Sequence, residues 1–241
     1  MAHAVHLPLT GGERQSLLKT ADARLYPSLR DPNFLVLRSR RFIFQKWIAQ
    51  LPGDELSVLD IGGRYQPYRP LFEGRTARYI ACDILRTQLV NVVGNGEALP
   101  FLPNTFDVVV ATQVFEYFSE PSRAAQQIHT VLKPRGALIM SVASLAPRFV
   151  DDECWRFTPK AISAILSSFS QVTIVPELSS IGGIVRTMNL ALNTFARYKS
   201  LRVLSSVTVC PLLNLLGLGL EALKVTDNDQ FAPNYSVFAV K

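Results

Sequence analysis

Apolar residues along this chain gather in short unbroken runs instead of alternating with polar ones. The runs are SVLDI (57–61), RYIACDI (78–84), QLVNVV (88–93), FDVVVAT (106–112), ALIMSVA (137–143), VTIVPE (172–177) and NYSVFAVK (234–241). Runs of Val, Ile and Leu without polar alternation predict strands covered on both faces. Between them lie PYRPLF (67–72), PSRAAQQIHTVLK (121–133) and PKAISAILSSF (159–169), which predict helices. Strands interleaved with helices imply parallel crossovers, so the expected architecture is α/β, a doubly wound and mostly parallel seven-stranded sheet.

Two stretches break the series. Residues 1–54 hold an irregular, Gly- and Pro-containing lead-in to about residue 30, then a helix over PNFLVLRSRRFIFQKWIAQL (32–51) that stops before Pro52-Gly53. Residues 178–231 are too long for a structureless loop and predict a helical insertion, a pair of helices ahead of the final strand at 232–241. The whole of 1–241 reads as a single domain.

Composition changes this picture little. The 241 residues carry a net charge of +6, with 48% hydrophobic and 18% charged residues, and the mean hydropathy of +0.18 is slightly high, which suggests exposed apolar surface. Cys82, Cys154 and Cys210 are too scattered for a disulfide framework or a zinc pattern, and no metal site is expected. The first residues lack a basic segment followed by an apolar core, so the expected location is cytoplasmic. Basic charge suits an anionic partner, yet no basic stripe with interleaved aromatics stands out beyond RSRRFIFQKW, and nucleic acid is not expected.

Candidate chemistry begins at VLDIGG. A strand that ends on Asp60 and turns through Gly62 and Gly63 places an acid and a bare backbone at the carboxyl edge of the sheet, where open α/β sheets bind ligands. The second strand ends on Asp83, suitably placed to accept from both hydroxyls of a ribose. Together they read as a nucleoside site. The sequence after Asp60 lacks the G-x-G-x-x-G spacing of dinucleotide binders.

These motifs resemble those of class I S-adenosylmethionine-dependent methyltransferases of the type 11 kind. The likeness runs from about residue 57 to 143 and rests on VLDIGG, YIACDI, GNGEALPFLPNTFDVVVATQVFEYF and AAQQIHTVLKPRGALIMSV. It implies a Rossmann-like fold with an antiparallel last strand and S-adenosylmethionine as cofactor. It also implies cofactor contacts at Asp60, Gly62, Gly63, Asp83, Asn95, Gly96, Glu97 and Gln113, with Glu116 and Tyr117 as catalytic candidates beside the transferred methyl. A second likeness, DECWRFTPKAI to a D-x-x-W-R-F-T-P segment of methyltransferases associated with bacterial glycan assembly, makes Trp155 and Arg156 candidates for the acceptor pocket. The expected reaction is methyl transfer to a small or lipid-linked acceptor, a sugar hydroxyl being one case. Arg64 stands where this family often has a second glycine, and that departure supports the alternative of a catalytically inactive scaffold or binding protein.

Arg186, Arg197, Lys199 and Arg202 precede VLSSVTVCPLLNLLGLGL (203–220), which carries no charge. A single crossing would strand the last strand across the bilayer from its sheet, so the expectation for 184–223 is peripheral contact with an anionic membrane face, or a lid or dimer contact.

Overall fold

A computed structural model of the chain describes residues 11–194 and 197–241; His3 and His6, which have no partner spacing for a metal, lie outside them. Seven strands form one sheet: β1 (Leu56–Ile61), β2 (Thr76–Asp83), β3 (Val92–Val93), β4 (Phe106–Thr112), β5 (Leu132–Ala143), β6 (Gln171–Pro176) and β7 (Asn234–Val240). Their order is β3-β2-β1-β4-β5-β7-β6. The neighbours from β3 to β5 pair in parallel, while β7 runs antiparallel to both β5 and β6. The fold class expected from the runs of apolar residues is the one observed.

Each face has its own core. Leu59, Ile61, Val109 and Leu138 pack beneath α3 (Pro121–Val131) and α4 (Pro159–Ile165), while Val58, Val108, Val110 and Ile139 pack against Phe44, Trp47 and Ile48 of α2 (Phe34–Gln50). This alternation of side chains from buried strands to opposite layers is why the runs show no polar spacing. At the start of α4, Thr158 caps the helix by accepting from Ala161 N–H at 3.3 Å, with Pro159 at the first helical position.

Three local expectations change. Residues 11–25, read as irregular, form α1 (Gly11–Leu25). Ala21 and Leu25 are its buried apolar residues, while Leu17 is half-buried and Leu18 exposed, so only a short apolar stretch marks it in the sequence. The run at 88–93 contributes only Val92–Val93 to the sheet; ahead of it, Asn91 accepts from Ala81 N–H at 2.8 Å through its side chain, which replaces a strand partner. The segment at 67–72 shortens to a single 3-10 turn over Arg69–Phe72, held to that length by prolines at 67 and 70.

Among its described residues the insertion holds three helices rather than two: α5 (Ser180–Asn193), α6 (Lys199–Val207) and α7 (Val209–Ala222). Asn214 anchors it by donating to Leu29 O at 2.8 Å and Asp31 O at 2.9 Å, and Glu221 accepts from the Ser179 hydroxyl at 2.6 Å. Among the described residues no single helix is long and apolar enough to cross a membrane; α6 and α7 meet that test only as a pair bent by 45°.

Candidate active site

The strand order reverses between β1 and β4, the switch point at whose carboxyl ends open α/β sheets bind their ligands. Parallel register sets Asp60 beside Ala81 of β2 and Val110 of β4, and Asp83 beside Val93 of β3. Asp60, Gly62 and Asp83 therefore share the edge that Gln113, Glu116 and Tyr117 reach from β4.

The glycine pair is required by the protein itself. Gly62 has φ of +74°, and a Cβ there would meet Val114 Cγ2 at 3.0 Å; a Cβ on Gly63 would meet Asp60 O at 2.7 Å. The turn is tied down by Gly62 N–H donating to Cys82 O at 2.8 Å. Its glycines thus pack the loop against β1 and β4, which the sequence pattern alone attributes to the approach of a ligand.

The two strand-end acids differ. Asp60 is buried and accepts from the Tyr79 hydroxyl at 2.7 Å. Burial pushes its carboxyl up to about 7, the Tyr79 hydrogen bond pulling the other way and the nearby Asp83 adding to the rise. Asp83 accepts from Leu85 N–H at 2.9 Å, and Ile84 beside it stands 67% exposed, an apolar side chain suited to a flat nucleobase. Across the crevice Asn95 closes a turn by accepting from Glu97 N–H at 3.0 Å, Glu97 accepts from Glu120 N–H at 2.7 Å, and Gly96 lies so near the Phe118 ring that a Cβ would meet it at 2.6 Å. These three positions form a rigid wall.

Gln113 adopts φ of +51°, unusual for a residue with a side chain, and donates to Ser141 Oγ at 3.1 Å. Glu116 is buried; Oε1 accepts from Ala143 N–H, while Oε2 has no hydrogen-bond partner. Burial drives its carboxyl up to about 7 against the pull of the Ala143 N–H. Tyr117 is half exposed and reaches Glu153 at 3.5 Å, and burial and the two acids, Glu153 and Glu116, raise its phenol.

Glu116, Tyr117 and Gln113 line a cavity of about 40 Å³ together with Arg156, Arg186 and Asn234. The roof is the DECWRFTP segment. Cys154 and Trp155 donate their N–H groups to Glu116 O at 2.7 and 3.2 Å, and the Trp155 indole donates to Phe118 O at 2.7 Å. Arg156 bonds Ala146 O at 3.1 Å, Pro147 O at 3.0 Å and Glu153. Both roof residues brace the loop over the cavity. Arg186, contributed by the insertion, was not singled out as a site residue by the sequence; only its place among the basic residues of 184–223 marked it.

Two buried acids held near 7 give the folded state a pH signature. Over the window from about 4 to 7 the folded chain keeps protons that the unfolded chain releases, so stability falls as pH rises through that window. Each group adds a slope of up to about 1.4 kcal/mol per pH unit. The double variant Asp60→Asn/Glu116→Gln is expected to lose this fall, measured by urea unfolding at pH 5 and pH 7.5; identical pH profiles would refute it.

Residues 59–140 match the family model described as a methyltransferase domain. The human protein named arginine-hydroxylase NDUFAF5, mitochondrial, is 44% identical over 103 residues, which cover 38% of this chain and 30% of that protein. The ubiquinone/menaquinone biosynthesis C-methyltransferase UbiE of Cereibacter sphaeroides is 30% identical over 119 residues, 42% of this chain and 47% of UbiE. The chain thus spans less than half the length of these relatives. A solved S-adenosylmethionine-dependent methyltransferase from Archaeoglobus fulgidus superposes with a TM-score of 0.51 at 14% identity, covering 84% of this chain and 94% of that one. The fold is that of class I methyltransferases, residues 59–140 match a methyltransferase domain, and the cofactor that match implies is S-adenosylmethionine.

Proposed function

We propose, from the methyltransferase domain at 59–140, that this chain transfers the methyl group of S-adenosylmethionine to a small or lipid-linked acceptor, with a sugar hydroxyl of glycan assembly as the specific candidate. The observation that carries the reading is the meeting of Asp60, the Gly62 turn and Asp83 at the switch point of the sheet, on the edge that β4 leaves toward Glu116.

The residues fit the cofactor. Asp83 would take the ribose hydroxyls, Ile84 and the wall at Asn95 to Glu97 would border the adenine, and Asp60 would attract the cationic amino-acid end. The cofactor supplies an electrophilic methyl, so the protein's work is to align the acceptor and exclude water. An oxygen acceptor must also lose a proton. The free Oε2 of Glu116, on a carboxyl held near 7, suits that task at neutral pH. The glycan acceptor is favoured by the DECWRFTP roof, which resembles the segment of glycan-linked methyltransferases. Calorimetric titration with S-adenosylmethionine and S-adenosylhomocysteine tests the reading; absence of binding by the folded protein would move the scaffold alternative, supported by Arg64, into its place.

A lipid-linked acceptor would bring the enzyme to a membrane, and the insertion offers a surface for it. Leu201, Val203, Leu204, Leu212, Leu215 and Leu216 are exposed on α6 and α7, with exposed Arg197, Lys199 and Arg202 at one end. An apolar helical face bordered by basic residues suits an anionic bilayer surface, where each basic group adds about 1 kcal/mol. The protein is expected to co-sediment with anionic vesicles at low salt and to lose this in Leu204→Glu/Leu216→Glu. A wild type that ignores such vesicles, or that self-associates through this face, would refute the membrane assignment.

A further inference from the structure

Arg186 has no evident work to do in the structure as it stands. Its side chain is 4% exposed, yet its hydrogen bonds go only to a neutral amide: Nε and Nη2 donate to Asn33 Oδ1 at 3.2 and 2.8 Å. Among the described residues, Nη1 is buried without a hydrogen-bond partner. A guanidinium taken out of water without a carboxylate against it is costly, and nearby groups make this plain. Glu177, a buried acid that acts on Arg186, is engaged by Arg40 at 2.7 and 2.9 Å. Burial, and then repulsion from Arg40, lowers the Arg186 guanidinium to about 10, with Glu177 and Asp31 offsetting only part.

Arg186 also lines the cavity beneath the DECWRFTP roof, alongside Glu116. The other arginine of that lining, Arg156, is held by Ala146 O, Pro147 O and Glu153, so its charge is matched and its donors face the loop. Glu116, held near 7, is partly neutral at physiological pH. The lining therefore carries a positive charge that the nearby acids offset only in part. The cavity of about 40 Å³ holds roughly three water-sized groups, the size of a carboxylate or phosphate headgroup rather than of a whole acceptor.

We infer that Arg186 is the recognition residue for an oxyanion, carboxylate or phosphate, carried by the methyl acceptor, which enters this cavity and pairs with the Arg186 guanidinium while the reacting atom lies toward Glu116. The inference rests on reading this crevice as the methyl-transfer site. It assigns the insertion a part in substrate choice, because α5 supplies the charge from outside the matched segment 59–140. A guanidinium presenting donors in a fixed plane is well matched to either oxyanion, and desolvation strengthens the pairing.

The test is thermal unfolding of the full chain with inorganic phosphate or acetate as probe, against sodium chloride at matched ionic strength, with and without S-adenosylhomocysteine. The wild type is expected to gain roughly 3–6 °C at about ten times the dissociation constant of the better probe. Arg186→Met is expected to lose that gain while unfolding no earlier than the wild type in chloride, since it removes an unpaired buried charge. Arg186→Lys is expected to keep a smaller gain, which leaves the test open if the methionine variant does not fold. Which probe acts identifies the anion as phosphate or carboxylate. A wild type that responds to neither beyond chloride, or variants that respond as the wild type does, would overturn the assignment. Failure to bind S-adenosylhomocysteine would count instead against the methyltransferase reading, because the anion response is read separately.

Discussion

Arg40→Met is expected to lower the unfolding free energy by about 3–5 kcal/mol, the largest stability loss of any single substitution considered. Arg40 of α2 and Glu177, just past β6, are both buried and meet as a two-pronged pair at 2.7 and 2.9 Å. Glu177 also accepts from Ser141 at 2.5 Å and from Ser236 at 2.9 Å, so the carboxylate ties α2 to β5 and β7. Burial alone would lower the Arg40 guanidinium, and the Glu177 carboxylate more than reverses this, holding it above its ordinary value. Removing Arg40 leaves that carboxylate in the core with only two hydroxyls.

The cost is thus mainly that of an abandoned charge, and a second substitution checks this. Arg40→Met/Glu177→Leu is expected to recover most of the loss, because two apolar side chains of similar volume replace the pair. Urea unfolding of the wild type, both single variants and the double variant measures the coupling. Additive losses would show that the two residues act separately. The same pair bears on the site: Ser141, which donates to Glu177, also accepts from Gln113. A slackened pair therefore loosens the residue that leads into Glu116.

Such pairs mark the limit of what the sequence discloses. Strands β1, β4, β5 and β7 are legible because each is an apolar run whose burial on both faces leaves that signature in composition, while β2 shows it only in its last half and β6, at the sheet edge, through its Val and Ile alone. Asp60 and Asp83 are legible because a strand end fixes where its last side chain stands. Arg40 and Glu177 lie 137 positions apart and join elements whose packing no local pattern encodes. Arg186 is hidden for another reason: among four basic residues ahead of an apolar run it reads as one member of a solvated patch, and only the packing of α5 on the loop at 31–33 buries it. Helix α1 escaped because its apolar positions, Leu17, Leu18, Ala21 and Leu25, are few and set among Gly and polar residues, so the repeat is too short to stand out. Local signals thus report the sheet and its rim, whereas the charges that border the crevice depend on contacts between distant segments.

Asp83→Ala is expected to weaken binding of both S-adenosylmethionine and S-adenosylhomocysteine by roughly a hundredfold or more. A carboxylate that accepts from both ribose hydroxyls makes two charged hydrogen bonds, each worth about 1.5–3 kcal/mol, and alanine makes neither. Asp60→Asn separates the second acid from the first. Asparagine keeps an acceptor for Tyr79 but no charge, so affinity is expected to fall less. Its distinguishing mark is pH: if Asp60, held at about 7, receives the cationic end of the cofactor as proposed, it must ionise to do so, and the wild type's affinity rises from pH 6 to pH 8 with release of a proton. In Asp60→Asn that rise is expected to vanish. Calorimetry in two buffers of different ionisation heat reads both affinity and proton release. Unchanged binding in Asp83→Ala would reduce that residue to a turn acid serving Leu85 N–H, and the nucleoside reading of the crevice would fall with it. Loss in Asp83→Ala with a persisting pH rise in Asp60→Asn would keep the nucleoside site and transfer the titration to Glu116, the other carboxyl held at the same value.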